Sequence, residues 1–304
     1  MPLQLKYRPG SFKNVIGNAA TVDSLKSVLE RKGEDLPHAF LFIGPSGTGK
    51  TTLARIVAKM VGCSKSDFCE LDSADFRGID TVREIRRRMH YAPQAGPCRV
   101  WLMDECHQMT KDAQEALLKA LEDTPAHVYF ILATTEPEKL KETLKRRCST
   151  FTLSTVLEKE LVAHMTMILG REKKTAPPEV LAQIWQDAGG SPGIALAILD
   201  KIVDLAPAQM LEAAKQQATL HNETIELCRV LMKGASWKEI ATIIKGIEAE
   251  PESFRRMMLG YATNTLLNGN PKAAIILDCF RENYYDNGKA GLVLSCWEAM
   301  GAKG

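Results

Sequence analysis

Residues 42–52 read FIGPSGTGKTT, three glycines and a proline set between an apolar run and an apolar helical pattern. Gly44, four further residues, then Gly49, Lys50 and Thr51 reproduce the spacing G-x-x-x-x-G-K-[ST]. A strand, such a loop and a helix beginning at Lys50 leave a nest of backbone N–H groups at a helix N-terminus. Those donors and the aligned peptide dipoles hold phosphate. Glycine suits the loop because a Cβ would obstruct the approach of the backbone to the phosphates. The run Gly44, Pro45, Ser46, Gly47, Thr48, Gly49, Lys50, Thr51 and Thr52 is therefore expected to bind a nucleotide. Lys50 reaches the β- and γ-phosphates and Thr51 offers its hydroxyl to Mg²⁺. The bland alternative, a glycine-rich turn, is opposed by the strand before and the helix after.

Outward from this loop, the first half of the chain alternates short apolar runs with amphipathic stretches. The runs are AFLFIG (39–44), CELDSAD (69–75), CRVWLMDEC (98–106), VYFILATT (128–135) and STFTL (149–153). Between them lie KTTLARIVAKMVG, TVREIRRRM, KDAQEALLKALED and PEKLKETLKRR, all of helical period. Strand–helix alternation with near-continuously apolar strands predicts a parallel sheet covered by helices on both faces. After residue 154 the strand signals stop. Thr155 and Glu158 stand in capping-box spacing before a helical run, and a Gly-Gly-Ser-Pro break separates two further helices. The expected organisation is an α/β domain over 1–154, a small helical domain over 155–205 and an all-α domain over 206–304.

Three further elements bear on chemistry. VWLMDEC is an apolar strand ending in Asp104 and Glu105, at the end of a parallel strand where ligands bind. Asp104 suits the Mg²⁺ shell, and Glu105 suits the polarising of a water that attacks the γ-phosphate. Thr134 and Thr135 close a neighbouring strand, within reach of that water or phosphate; β-branched residues in strands are also simply ordinary. Arg146 and Arg147 end a helix, where the dipole favours basic residues whatever their function.

Composition sets limits. A chain of 304 residues, 45% apolar and a quarter charged, builds ordinary globular cores. The formal charge of +2 excludes a histone-like polycation but leaves room for a local basic face. No apolar run approaches membrane-spanning length, and the start MPLQLKYRPG lacks a secretory layout. Eight scattered cysteines without a C-x-x-C pair read as reduced thiols, so a cytoplasmic protein is expected.

With these elements in place, the first 200 residues resemble ATPase subunits of the DNA polymerase clamp loader, in the AAA+ class, and in particular the bacterial γ/τ subunit. The stretches that carry the resemblance are KYRPGSFKNVIGN, GPSGTGKTTLARIVAK, YAPQAGPCRVWLMDECHQMTKDAQEALLKALEDTPAHVYFILATTEPEKL and RRCSTF. Beyond residue 210 it rests only on an all-helical segment of suitable length. The resemblance implies an α/β P-loop domain, a helical lid and a C-terminal collar that joins subunits in a ring or spiral. It implies that Tyr7, Arg8, Pro9, Val15 and Ile16 line the adenine pocket, with Pro192 of the lid also in the nucleotide-binding set. Thr135 would sense the γ-phosphate, and Arg147 would reach into the ATP site of the neighbouring subunit. The implied partners are further copies of the chain, a distinct clamp-loader subunit, a sliding clamp and primer–template DNA, with no membrane.

Two departures qualify the match. The region VGCSKSDFCELDSAD offers only Cys63 and Cys69 where γ/τ subunits carry a four-cysteine zinc module, so no zinc is expected. GGSPGIALAIL places Gly193 where the family's second sensor is an arginine. Both fit a phage or otherwise divergent clamp loader. In RGIDTVREIRRRMHYAP, Arg83, Arg86 and Arg87 share one helical face and Arg77 precedes the helix. They read as a solvated basic surface or as a phosphate-tracking patch, and the resemblance favours DNA. The competing functions are another AAA+ machine on nucleic acid, such as a helicase loader or branch-migration motor, and a non-hydrolysing structural subunit.

Overall fold

The computed structural model describes residues 1–31, 33–71, 78–221, 223–247, 251–267, 269–285 and 287–301. It divides into two compact units, residues 5–156 and residues 1–4 with 157–304.

The first unit is built on five strands, β1 (Ala39–Ile43), β2 (Phe68–Leu71), β3 (Arg99–Met103), β4 (Val128–Thr134) and β5 (Ser149–Thr152). Every pairing is parallel and the order is β2-β3-β4-β1-β5, so β4 lies between the loop-bearing β1 and the Asp-Glu strand β3. The strands read as unbroken apolar runs because successive side chains point to opposite faces and both faces are covered. Phe40, Phe42, Val100, Leu102 and Ile131 pack against the helices Ala19–Leu29 and Lys50–Met60 through Val22, Leu25, Leu53, Ile56 and Val57. Leu41, Trp101, Met103, Phe130 and Leu132 point the other way, onto Val82 and Ile85 of helix Ile79–Arg88 and Leu117 of helix Lys111–Glu122. The last helix starts at Thr110, whose Oγ1 accepts from the Ala113 N–H at 3.2 Å.

Two local readings differ from the expectation. PEKLKETLKRR is a 3₁₀ turn, Pro137–Lys139, followed by a helix of only Glu142–Arg146. Leu140 between them is extended and buried in the core with Val82, Ile85 and Leu117, which breaks the helical path. The capping-box spacing at Thr155 does not start a helix: the helix runs Glu158–Arg171 with Leu157 at its N-cap. The expected strand 69–75 is strand over Phe68–Leu71, and residues 72–75 lie outside the described residues, as does Arg77.

Among its described residues the second unit has helices joined by turns and no strand. Its helices are Glu158–Arg171, Pro178–Asp187, Pro192–Ile202, Pro207–His221, Glu223–Lys233, Trp237–Gly246, Pro251–Leu267, Ala273–Cys279 and Gly288–Gly301. Ser191 caps the third of these, accepting from the Ile194 N–H, with Pro192 at its first position. Leu227, Ile240, Phe254, Met258, Phe280 and Cys296 centre one apolar core. The N–H of Leu3 donates to Asp200 Oδ1 at 2.9 Å in this unit. Among the described residues no helix is long and apolar enough to cross a membrane.

Candidate functional site

The C-terminal ends of β1, β3 and β4 meet at one edge of the sheet, where ligands bind in open parallel folds. β1 delivers the chain into the glycine loop through Gly44, where a Cβ would lie 2.4 Å from the Leu153 carbonyl oxygen. Only glycine permits that approach. Gly49 precedes Lys50 with φ 101°, a left-handed backbone that side-chain-bearing residues rarely adopt. Helix Lys50–Met60 therefore starts immediately after the loop, and its first N–H groups have no partner within the helix. Thr48 is buried and donates to the Pro45 carbonyl at 2.8 Å, closing the loop on itself. Pro45, Ser46 and Gly47 are exposed, and Thr52 is half-buried in the first helical turn.

Lys50 is buried, its Nζ donating to the carbonyls of Gly44 (2.8 Å) and Pro45 (3.0 Å). Burial pushes its ammonium below the ordinary lysine value, with Glu105 and then Asp104 opposing. A desolvated cation satisfied by carbonyls alone is ready to gain from an anion. Thr51 Oγ1 donates to Asp104 Oδ2 at 2.6 Å, so a hydroxyl and a carboxylate are already side by side. These hard oxygen donors are the kind Mg²⁺ takes beside phosphate. The glycine cradle, Lys50 and this pair fit a magnesium nucleotide.

Glu105 follows Asp104 with φ 51° and ψ 45°, a left-handed turn for a non-glycine residue. Its backbone N–H donates to Asp104 Oδ1, and its carboxylate turns toward the end of β4. There Thr135 Oγ1 donates to Glu105 Oε2 at 3.1 Å. Loop lysine, paired acids and strand-end threonine thus converge on one edge. The backbone itself links them, since the Gly44 N–H donates to the Thr134 carbonyl.

The N-terminal segment is tied beside this edge. Asn18 Nδ2 donates to the Ser154 carbonyl (3.0 Å) and the Ser154 N–H returns to Asn18 Oδ1 (2.8 Å). Val15 and Ile16 are half-buried, Val15 against the core around Phe40 and Phe42; Tyr7 and Pro9 are half-buried and Arg8 is exposed. Pro192 belongs to the second unit and begins its helix. Arg147 follows the short helix Glu142–Arg146, more than half exposed, with Nη2 3.0 Å from Glu122 Oε1. Arg146 is more exposed and pairs with Glu142.

Arg83, Arg86 and Arg87 lie on helix Ile79–Arg88 and, with Asp80 and His90, line a cleft of about 730 Å³. Two of the three carry acidic neighbours: Arg83 pairs with Asp80 at 3.1 Å and Arg86 with Asp123 at 2.7 Å. Exposed pairs of this kind are weak and yield to a stronger anion.

Three residues that sequence reading does not single out matter here. His107 fills the space between Glu105, Thr134 and Glu136. Gln114 is buried on helix Lys111–Glu122, donating to the Lys139 carbonyl (3.2 Å) and accepting from the Lys141 N–H (2.8 Å), which seats the turn after β4. Asp67 is fully buried and accepts from the N–H groups of Gln94, Ala95 and Gly96. None of the three carries a local signal, since each is fixed by partners distant in sequence.

A profile of the ATPase family associated with various cellular activities (AAA) matches residues 40–156. The chain is 35% identical over 221 residues to the DNA polymerase III subunit tau of Bacillus subtilis, covering 66% of this chain and 39% of that one. It is 29% identical over 280 residues to the DNA polymerase III subunit gamma of Buchnera aphidicola subsp. Baizongia pistaciae, 84% of this chain and 75% of that one. The chain thus spans about two fifths of the length of the Bacillus relative. The Thermotoga maritima RuvB Holliday junction branch migration motor shares the fold at a TM-score of 0.61 and 20% identity, covering 86% of this chain and 91% of that one. A phosphate loop, an Asp-Glu strand end and a strand-end threonine at one sheet edge, within the region that matches the AAA family of ATPases, give the chain an AAA-type ATPase domain over residues 40–156, similar to the gamma/tau subunits of bacterial DNA polymerase III.

Proposed function

We propose that the chain is an ATP-hydrolysing subunit of a sliding-clamp loader. The observation that carries this reading is the convergence of Lys50, Thr51, Asp104, Glu105 and Thr135 on one sheet edge, in a chain akin to DNA polymerase III gamma/tau subunits. ATP lies with its phosphates among the amides of residues 44–51, Lys50 on the β- and γ-phosphates, its adenine against Tyr7, Arg8, Pro9, Val15 and Ile16. Mg²⁺, held by Thr51 and Asp104, neutralises phosphate charge when bound. Glu105 polarises the attacking water, and Thr135 contacts the γ-phosphate. Arg147 reaches the site of an adjoining copy, a contribution of roughly 10³–10⁵ in rate where such fingers act.

In the same proposal, residues 155–205 form a lid, and 206–304 form a collar holding copies together with a distinct subunit. ATP binding assembles a spiral that opens the clamp. Arg83, Arg86 and Arg87, with Arg77, grip the primer–template backbone, and hydrolysis releases the closed clamp. Gly193 leaves the lid without an arginine sensor, so closure depends more on the other contacts.

ATP turnover of the full chain with and without a sliding clamp and primer–template DNA tests this. Stimulation by both together supports the loader. Turnover stimulated by single strands or by branched DNA, with directional movement, overturns it in favour of a translocating motor. No turnover under any combination overturns it in favour of a structural subunit.

A further inference from the structure

The left-handed turn at Glu105 has a second effect. It starts a 3₁₀ turn, Cys106–Gln108, closed by the Gln108 N–H on the Glu105 carbonyl at 3.1 Å. That turn throws the side chain of His107 back toward β4. The ring is only 9% exposed, so its surroundings are fixed by protein rather than water. Nδ1 lies 3.1 Å from Thr134 Oγ1 and 3.3 Å from Glu105 Oε2, while Nε2 lies 3.2 Å from Glu136 Oε1. Carboxylates only accept, so any hydrogen bond between the ring and Glu105 or Glu136 is donated by a ring N–H.

The outer side of this arrangement is itself anchored. Lys139 Nζ holds the second oxygen of Glu136 at 2.9 Å, and the Glu136 N–H donates to Thr134 Oγ1 at 3.0 Å. On the inner side, Thr135 and His107 both approach the same oxygen of Glu105, Oε2. Among the described residues Oε1 receives no hydrogen bond. One oxygen is therefore fixed and the other left for a substrate or a water.

We propose that His107 is a positioning residue for hydrolysis, a brace between Glu105 and the Thr134–Glu136 segment that fixes where the water-polarising oxygen stands. The proposal rests on the ATPase reading above. His107 is held by Glu105, Thr134 and Glu136 and by none of the phosphate-loop residues, so its removal should act on the chemical step and not on binding. Misplacement of a reacting group by about 1 Å costs on the order of 10²-fold in rate.

Two amide substitutions separate the ring nitrogens. Asn places its amide near the Nδ1 position and Gln near Nε2, so His107→Asn keeps a donor toward Glu105 and His107→Gln keeps one toward Glu136. We expect His107→Gln to lower kcat by at least about tenfold with the KM for ATP within about threefold of wild type. His107→Asn is expected to recover at least about fivefold of that loss, with nucleotide affinity, followed with a fluorescent ATP analogue, unchanged in both. Equal kcat for the two variants, whether low or near wild type, overturns the proposal, because a space-filling role does not distinguish them. If His107→Gln does not fold, Glu136→Gln takes its place, removing the charge that holds Nε2 while leaving the ring; kcat should drop several-fold, and an unchanged value overturns the proposal. Glu105→Gln is the reference. Turnover in wild type that Glu105→Gln abolishes keeps the ATPase reading whole whatever His107 does, whereas no turnover in wild type overturns both.

Discussion

Asp67→Asn should destabilise the α/β unit by about 3 kcal/mol. The carboxylate is fully buried and accepts from Ser64 Oγ (2.6 Å) and from the N–H groups of Gln94 (2.6 Å), Ala95 (2.9 Å) and Gly96 (3.0 Å), with Arg99 Nη2 at 3.7 Å. These bonds outweigh the cost of burial and hold the carboxyl well below the usual carboxylate range. Asparagine is the same shape but has one accepting oxygen. If that oxygen faces Gln94, the new NH₂ meets the N–H groups of Ala95 and Gly96; if it is flipped, the NH₂ meets Gln94. At least one buried donor loses its acceptor, at about 1–3 kcal/mol each, and the remaining bonds lose their charge, which roughly halves them. For a protein of this size, about 3 kcal/mol corresponds to a fall in Tm of roughly 6–12 °C. Arg99 also donates to the carbonyls of Arg88 and Ala92, so the same staple holds the end of the basic helix. Urea melts at neutral pH read the loss directly. A variant within about 0.5 kcal/mol of wild type would refute the hydrogen-bond arithmetic.

Glu252 is the acid-sensitive point of the helical unit. It is buried and bridges Arg255 (2.6 Å and 2.8 Å), Arg256 (3.2 Å) and the Tyr284 N–H (2.8 Å), and its pKa falls from an ordinary 4.5 to about 2, chiefly through the Arg255 hydrogen bonds. A lowered carboxylate stabilises above its unfolded pKa, so about 3 kcal/mol present at neutral pH should be lost as pH falls from 4.5 through 2. Denaturant melts of this unit against pH check it, and Glu252→Gln should flatten the dependence. Arg86→Ala and Arg87→Ala should each weaken primer–template binding alike for all sequences and reduce the slope of log K against log salt by about 1. A change in sequence preference, or an unaltered slope, removes the residue from the phosphate contacts.

The sheet and its phosphate loop are legible because their signals are local. Alternating two-faced burial makes AFLFI apolar throughout, and Gly44 and Gly49 are demanded by a close approach and a left-handed turn at those positions. Asp104 and Glu105 are legible by their place at a strand end. The residues that seat them are not. His107, Gln114 and Asp67 bind partners 25 to 29 positions away, in registers set only once β2, β3 and β4 are paired. The same tertiary contacts overrule local pattern where Leu140 is drawn into the core, and where the helix after β5 starts at Glu158 instead of at the Thr155 signal.

In the proposed mechanism, ATP bound by one copy is cut with an arginine from the next. Arg147→Ala keeps the phosphate loop and loses the arginine, whereas Glu105→Gln keeps the arginine and loses the base. Each alone should be nearly inactive, and mixing equal amounts should restore turnover at about a quarter of the junctions of a random head-to-tail assembly. Recovery on mixing is the predicted result. Full activity of Arg147→Ala by itself, or a mixture no more active than its parts, would contradict the account.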